Sequence, residues 1–376
     1  MKKYLVGATI LTALLTLPIG WFFGDLLGLP FFLENKTFVS PFIDQIQERK
    51  LPLLKYTLEN LQNYPFKAGL ITVEEITTGN KDFVSYLFSY QTLGKTMTGQ
   101  LNVPVLPPPE DGYPTVIMLR GFVPEETYQS GDGTKNAAAA FAKNGYITLA
   151  PDFFGYGKSD SESEDSWEAR FQKPINVIEL LKTLEANPQI EIDGSTISLS
   201  NCSCDKKIWA HSNGGQIALT TLEVSQLSIK TTLWAPVTAP FPYSILFYSD
   251  EHDDGGKEMR KWLSLFEENY DATEFSITQH LDKINGSLQI HQGTTDDAIP
   301  ISWSDDFVQK IKAENKRREE LLKEIETSTQ SAVLETPLPP IEINYFKYPN
   351  TDHNLQPNWN VAIQRDLKFF ENNLEN

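Results

Sequence analysis

Cysteine is almost absent: the 376 residues hold only Cys202 and Cys204. Cysteine usage therefore leaves the redox compartment open. A chain of this length does not need a disulfide framework, because its core buries roughly three quarters of the unfolded surface. The single intervening residue makes a bridge between the two cysteines strained, and two thiolates do not complete a zinc site. Basic residues are also scarce, with 32 Lys and Arg against 50 Asp and Glu and a formal charge of −18. Polynucleotides demand a basic patch, so nucleic acid is excluded as a partner. The same charge disfavours a body lying on an anionic lipid surface. Hydrophobic residues at 40% and charged residues at 22% are ordinary for a globular protein, which excludes a disordered or fibrous chain. There is no internal repeat. Histidine occurs five times, which narrows the search for a catalytic base.

Long apolar runs are confined to the amino terminus. Residues 4–24 carry no charge, about the 20 residues that a membrane-crossing helix needs. Trp21, Phe22 and Phe23 suit an interfacial aromatic belt, and Lys2 and Lys3 precede the run. The expectation is a transmembrane anchor within residues 1–33, with the catalytic body outside the cytoplasm. A cleaved signal peptide, leaving a secreted or periplasmic protein, is the main rival, although no A-x-A-like site is evident. A buried core helix fits poorly beside the lysines. Residues 34–66 read as an amphipathic helical linker, because Phe42, Ile43, Ile46, Leu53, Leu54, Leu58 and Leu61 recur at helical spacing.

Residues 67–376 read as one catalytic domain. Segments 70–76, 83–90 and 97–103 alternate apolar and polar residues and are broken by turn residues, the pattern of an antiparallel meander. Beyond the proline-rich turn at 104–114 the strands become continuously apolar: 115–119, 146–150, 208–211, 231–235, 287–291 and 343–348. Helical stretches separate them, at 135–144, 174–186 and 213–224 among others. This is the α/β class, a mostly parallel sheet with helices on both faces. Two segments interrupt the alternation. Residues 237–284 are aromatic and acidic and are expected to form a lid. Residues 310–340 form a charged insertion, read as a solvated helix extension followed by a flexible linker.

Residues 209–215 read Trp-Ala-His-Ser-Asn-Gly-Gly between a strand and a helix. That is the G-x-S-x-G elbow context with alanine at the first small position. The turn is sharp, so the residues two before and two after the serine must be small. Ala210 and Gly214 meet that demand. Ser212 then lies at a helix amino terminus, where backbone N–H groups favour a developing anion. A serine needs a base, and the base an orienting acid. In this context they follow in the order Ser, Asp or Glu, His. Asp296 lies just past the strand 287–291, with Asp297 as its competitor, and His353 lies just past the last strand. His211 adjoins the serine and points away, His291 lies within a strand, and His252 and His280 fall in the lid. The oxyanion donors are expected to be the N–H of Asn213 and that of Phe122, after the turn at Gly121. His252, Asp253 and Asp254 lack further ligands at helical spacing, so no metal site is expected.

In this order the residues resemble the prolyl oligopeptidase family of serine peptidases, α/β-hydrolases, in the branch without a β-propeller. The resemblance runs from about Phe83 to the carboxyl end. Its markers are Phe88-Ser89-Tyr90, Met97-Thr98-Gly99, Leu101-Asn102-Val103-Pro104, Asn144-Gly145-Tyr146, the stretch from Ala150 to Ser159, the elbow, the segment around Asp296 and Asp352-His353. It implies cofactor-free acyl transfer from a small ester or peptide to water. Arg120 stands where the family usually carries histidine, and Ala210 where it carries the first glycine. A carboxylesterase rather than a peptidase, or a catalytically idle scaffold used for binding, are the alternative readings.

Overall fold

Alternation of apolar and polar residues draws the first three strands, β1 (Thr72–Gly79), β2 (Phe83–Thr92) and β3 (Lys95–Pro104), into an antiparallel meander. The structure is a computed structural model that describes residues 51–249, 254–327 and 337–371. The expected anchor, the first part of the linker, and His252 and Asp253 lie outside the described residues. Among the described residues no helix is long and apolar enough to cross a membrane.

Where the apolar runs become continuous, the strands turn parallel. β4 (Thr115–Leu119) and β5 (Ile147–Pro151) are wholly buried. A separate hairpin, β6 (Gln189–Ile192) and β7 (Ser195–Ser198), precedes β8 (Lys206–His211), β9 (Lys230–Trp234), β10 (Leu288–Gly293) and β11 (Ile343–Tyr348). The nine-stranded sheet has the order β1-β2-β3-β5-β4-β8-β9-β10-β11. β5 pairs antiparallel with β3 and parallel with β4, so the meander and the parallel half share one sheet.

Side chains on a strand alternate between faces. On β4, Ile117 and Leu119 enter one core, while Val116 and Met118 enter the other. The helices divide accordingly. Short α1 (Leu58–Gln62) comes first, and α2 (Lys135–Lys143) lines the second core. After α3 (Ser166–Phe171), α4 (Lys173–Ala186) and α5 (Asn213–Ser225) line the first. The segment 237–284, expected as a lid, holds α6 (Tyr243–Ser249), α7 (Lys257–Glu267) and short 3-10 turns. α8 (Ile301–Thr327) joins the first core and α9 (Trp359–Glu371) the second.

Three expectations are modified. The described part of the linker is no free bridge: Leu53, Tyr56, Leu58 and Leu61 are 2–5% exposed. They pack with Trp167, Phe171, Phe241, Phe266 and Phe275 in a third, aromatic core. The compact unit therefore starts at Leu51. The charge run belongs to one 27-residue helix, but not all of it is solvated. Arg318 is fully buried and donates to the carbonyls of Pro339 at 2.6 Å, Leu281 at 2.8 Å and Ile284 at 3.0 Å, pinning the end of the lid segment to α8. Finally, Cys202 and Cys204 are joined in a disulfide despite their spacing, with Cα atoms 5.1 Å apart, a separation within the range that a bridge needs.

Candidate active site

Ser212 leaves β8 and caps α5 with φ 54° and ψ −121°, a backbone region that costs a non-glycine residue about 1–3 kcal/mol. Its neighbours over-determine it. The Ser212 N–H donates to the Trp234 carbonyl at 2.9 Å, and its own carbonyl accepts from Gly215 and Val237 at 2.9 and 3.0 Å. Two glycines allow the close packing. A Cβ at Gly214 would collide with the Leu119 carbonyl, and one at Gly121 would stand 2.8 Å from Ser212 Cβ and 3.4 Å from its Oγ. The loop after β4 thus lies directly against the serine.

The loops after β10 and β11 bring Asp296 and His353 together. His353 Nδ1 lies 2.9 and 3.1 Å from the Asp296 carboxylate oxygens. A carboxylate only accepts, so Nδ1 carries the proton and Nε2 is free to act as a base. Asp296 also accepts from the N–H groups of Ala298 and Ile299 at 2.9 and 2.8 Å and from Gln292 Nε2 at 2.9 Å. Burial pushes this carboxyl up, but the His353 and backbone hydrogen bonds outweigh burial and hold it below the usual range. Asp297, the competitor, is exposed and does not reach His353. Among the described residues neither Ser212 Oγ nor His353 Nε2 has a hydrogen-bond partner, so the serine–histidine link is open here. Such links often tighten only around substrate.

His211 does more than point away. Its Nε2 lies 3.0 Å from the His353 carbonyl oxygen, and the two rings are 4.6 Å apart. The residue before the serine thus holds the loop that carries His353. Burial, and then the neighbouring His353, lower the His211 pKa to about 4. It is neutral near pH 7, and its Nε2–H donates to that carbonyl. His291 is buried within β10 and packed. His280 lies in the lid region.

The N–H of Asn213, at the first position of α5, has no intrahelical partner. The Phe122 N–H is likewise unbonded among the described residues, and the residue is 78% exposed. Arg120 explains how that loop is held. It is buried, stacks over Tyr156 at 4.0 Å and Tyr128 at 4.6 Å, and donates to the carbonyls of Gly121 at 3.0 Å and Asp152 at 2.8 Å. In a trans peptide the C=O and the next N–H point in opposite directions. Holding the Gly121 carbonyl therefore turns the Phe122 N–H away from Arg120. Cys202, Cys204 and Asp205 are the metal-type grouping among the described residues, but the two sulfurs are already bonded to each other.

No family profile matches the chain, and no curated protein matches it in sequence. Solved structures match in fold. Acetyl xylan esterase 1 from Thermoanaerobacterium sp. JW/SL YS485 superposes with a TM-score of 0.57 at 15% identity, covering 85% of this chain and 94% of its own. An acetyl xylan esterase from Paenibacillus sp. R4 gives 0.58 at 13% identity, with 84% and 93% covered. A puromycin-hydrolysing peptidase of Mycobacterium tuberculosis gives 0.51 at 13% identity, with 78% of this chain and 40% of its own. All three are α/β-hydrolases, and the chain has the α/β-hydrolase fold with its mostly parallel sheet.

Proposed function

We propose that this protein is a serine hydrolase of esters, with Ser212 as nucleophile, His353 as base and Asp296 as orienting acid. Ser212 Oγ bonds to the acyl carbon as its proton passes to His353 Nε2. Asp296 holds Nδ1–H and stabilises the imidazolium. The N–H groups of Asn213 and Phe122 receive the oxyanion. The bond to the leaving alcohol breaks as His353 returns the proton to it, and water then cleaves the acyl-enzyme by the same steps. The observation that carries the reading is the His353–Asp296 contact at 2.9 Å, with Nε2 left free and the ring 4.6 Å from that of His211, the residue before the serine.

Esters are favoured over amides because the two acetyl xylan esterases align over nearly their whole length. A prolyl oligopeptidase-like peptidase is the second reading, favoured by the sequence markers and by the likeness to a puromycin-hydrolysing peptidase. The apolar segment 4–24 would hold this body at the outer face of a membrane, tested by whether alkaline carbonate strips the full-length protein from membranes. The enzymatic test is turnover of p-nitrophenyl acetate and of aminoacyl p-nitroanilides by wild type and Ser212→Ala. Ester turnover that vanishes with the serine supports the proposal. No turnover of either substrate by folded wild type sinks it.

A further inference from the structure

A narrow cavity begins at Asn213, the residue after the nucleophile, and follows one face of α5 through Gln216 to Glu223. Arg170 from α3 and Lys173 from α4 line it together. Arg170 Nη2 donates to Gln216 Oε1 at 2.6 Å, and its Nε is shielded from solvent without a partner. Lys173 lies 5.9 Å from the centre of the Phe153 ring. Among the described residues neither cation makes a direct ion pair with a carboxylate, although Glu162 acts on Lys173 from further away and Glu274 also lines the cavity. Glu223, at the far end, does not neutralise them. It is fully buried, neither of its carboxyl oxygens has a partner, and burial pushes it well up, toward the neutral acid. Arg170 and Lys173 are each partly exposed and touch no carboxylate, so an anion entering the cavity would meet two cations with no contact partner of opposite charge. Their position beside the elbow indicates that the anion arrives with the substrate.

We propose that this cavity takes an acyl group ending in a carboxylate, so that the preferred substrates are hemi-esters of short dicarboxylic acids. The inference rests on the hydrolase reading above and adds the substrate class. The guanidinium fork matches a carboxylate, and Lys173 adds a point charge. Gln216, which Arg170 grips, stands one helical turn from Asn213, roughly 5 Å along the axis. A spacer of two or three methylenes, as in succinyl or glutaryl esters, bridges that gap. The bonds made and broken are those already described, and the products are the alcohol and the free diacid.

The test compares two 4-methylumbelliferyl esters of equal chain length, the neutral pentanoate and the anionic hemiglutarate. Wild type is expected to favour the hemiglutarate in kcat/KM. Arg170→Met and Lys173→Met should each lower that preference by roughly ten- to a hundredfold, mainly through KM. Arg170→Lys should retain part of it. The ratio is taken within each variant, so a lower folded fraction cancels. Pentanoate turnover with no hemiglutarate preference, or a preference that the variants leave unchanged, overturns the inference and leaves the hydrolase reading standing. Turnover of neither ester overturns both.

Discussion

Among the described residues two histidine–carboxylate pairs of nearly equal length lie in very different places. His353 Nδ1 meets Asp296 at 2.9 Å, and His291 Nε2 meets Asp366 at 2.8 Å. The first pair sits on loops at the strand ends, with the histidine side chain 17% exposed, and the second is wholly buried beneath the sheet. What separates them is the other ring nitrogen. His291 Nδ1 is occupied by the Tyr348 hydroxyl at 2.6 Å. Asp366 is further committed to Thr232, Trp234 and Gln289. Every atom of that pair is used, so it holds β9, β10 and α9 together and has no atom left for a substrate. His353 keeps Nε2 uncommitted. A short His–Asp contact is thus no mark of catalysis by itself. The proposed role of His353 rests on a contact that orients the ring while leaving one nitrogen free.

The largest effect should come from removing the free nitrogen. His353→Ala and Ser212→Ala are each expected to lower kcat/KM for p-nitrophenyl acetate by about three orders of magnitude or more, with little loss of stability. Equal activity in His353→Ala would break the comparison. The carboxylates should then separate in opposite senses. Asp296→Asn favours the wrong histidine tautomer and should cost about 10²–10⁴ in kcat. Asp366→Asn leaves kcat of the folded fraction near wild type but should destabilise the protein by about 3–5 kcal/mol in urea denaturation, because it breaks a buried pair. A stable but inactive Asp366→Asn would reverse the assignment.

Arg120→Met tests the loop that faces the serine. Loss of a whole oxyanion donor costs about 10²–10³ in kcat. Releasing the Gly121 carbonyl should cost less, roughly tenfold in kcat with KM little changed, and Arg120→Lys should restore part of it. An unchanged kcat would remove Arg120 from the account.

A last effect, on stability rather than turnover, concerns pH. His211 has its pKa lowered to about 4 by burial and by His353, against an unfolded value of about 6.5. The unfolded chain therefore binds the proton more readily. The contribution of His211 to stability is full above about pH 6.5 and fades as pH falls toward 4. Urea midpoints between pH 4 and 7 should rise less steeply in His211→Gln than in wild type. Identical slopes would show that His211 does not titrate in this way.

Much of this was legible in the chain itself. Continuous apolar runs located the parallel strands, and small residues around Ser212 located the elbow. The order of Ser212, Asp296 and His353 along the chain matched the order of loops at the strand ends. The hairpin 189–198 escaped because its strands are four residues each, too short for a periodic signal. The docking of residues 51–62, the burial of Arg318, and the Arg170–Lys173 cavity depend on contacts between distant segments, which no local pattern encodes. His211 was legible as a neighbour of the serine. Its hold on the His353 carbonyl spans 142 positions and appears only in three dimensions.

The most direct measurement is labelling of the folded protein with a fluorophosphonate, followed by mass spectrometry of the digest. The account predicts one adduct, on Ser212, that is lost when the protein is unfolded first and is strongly slowed in His353→Ala but not in His291→Gln. Absence of labelling at Ser212 in folded wild type, or labelling unaffected by loss of His353, would contradict it.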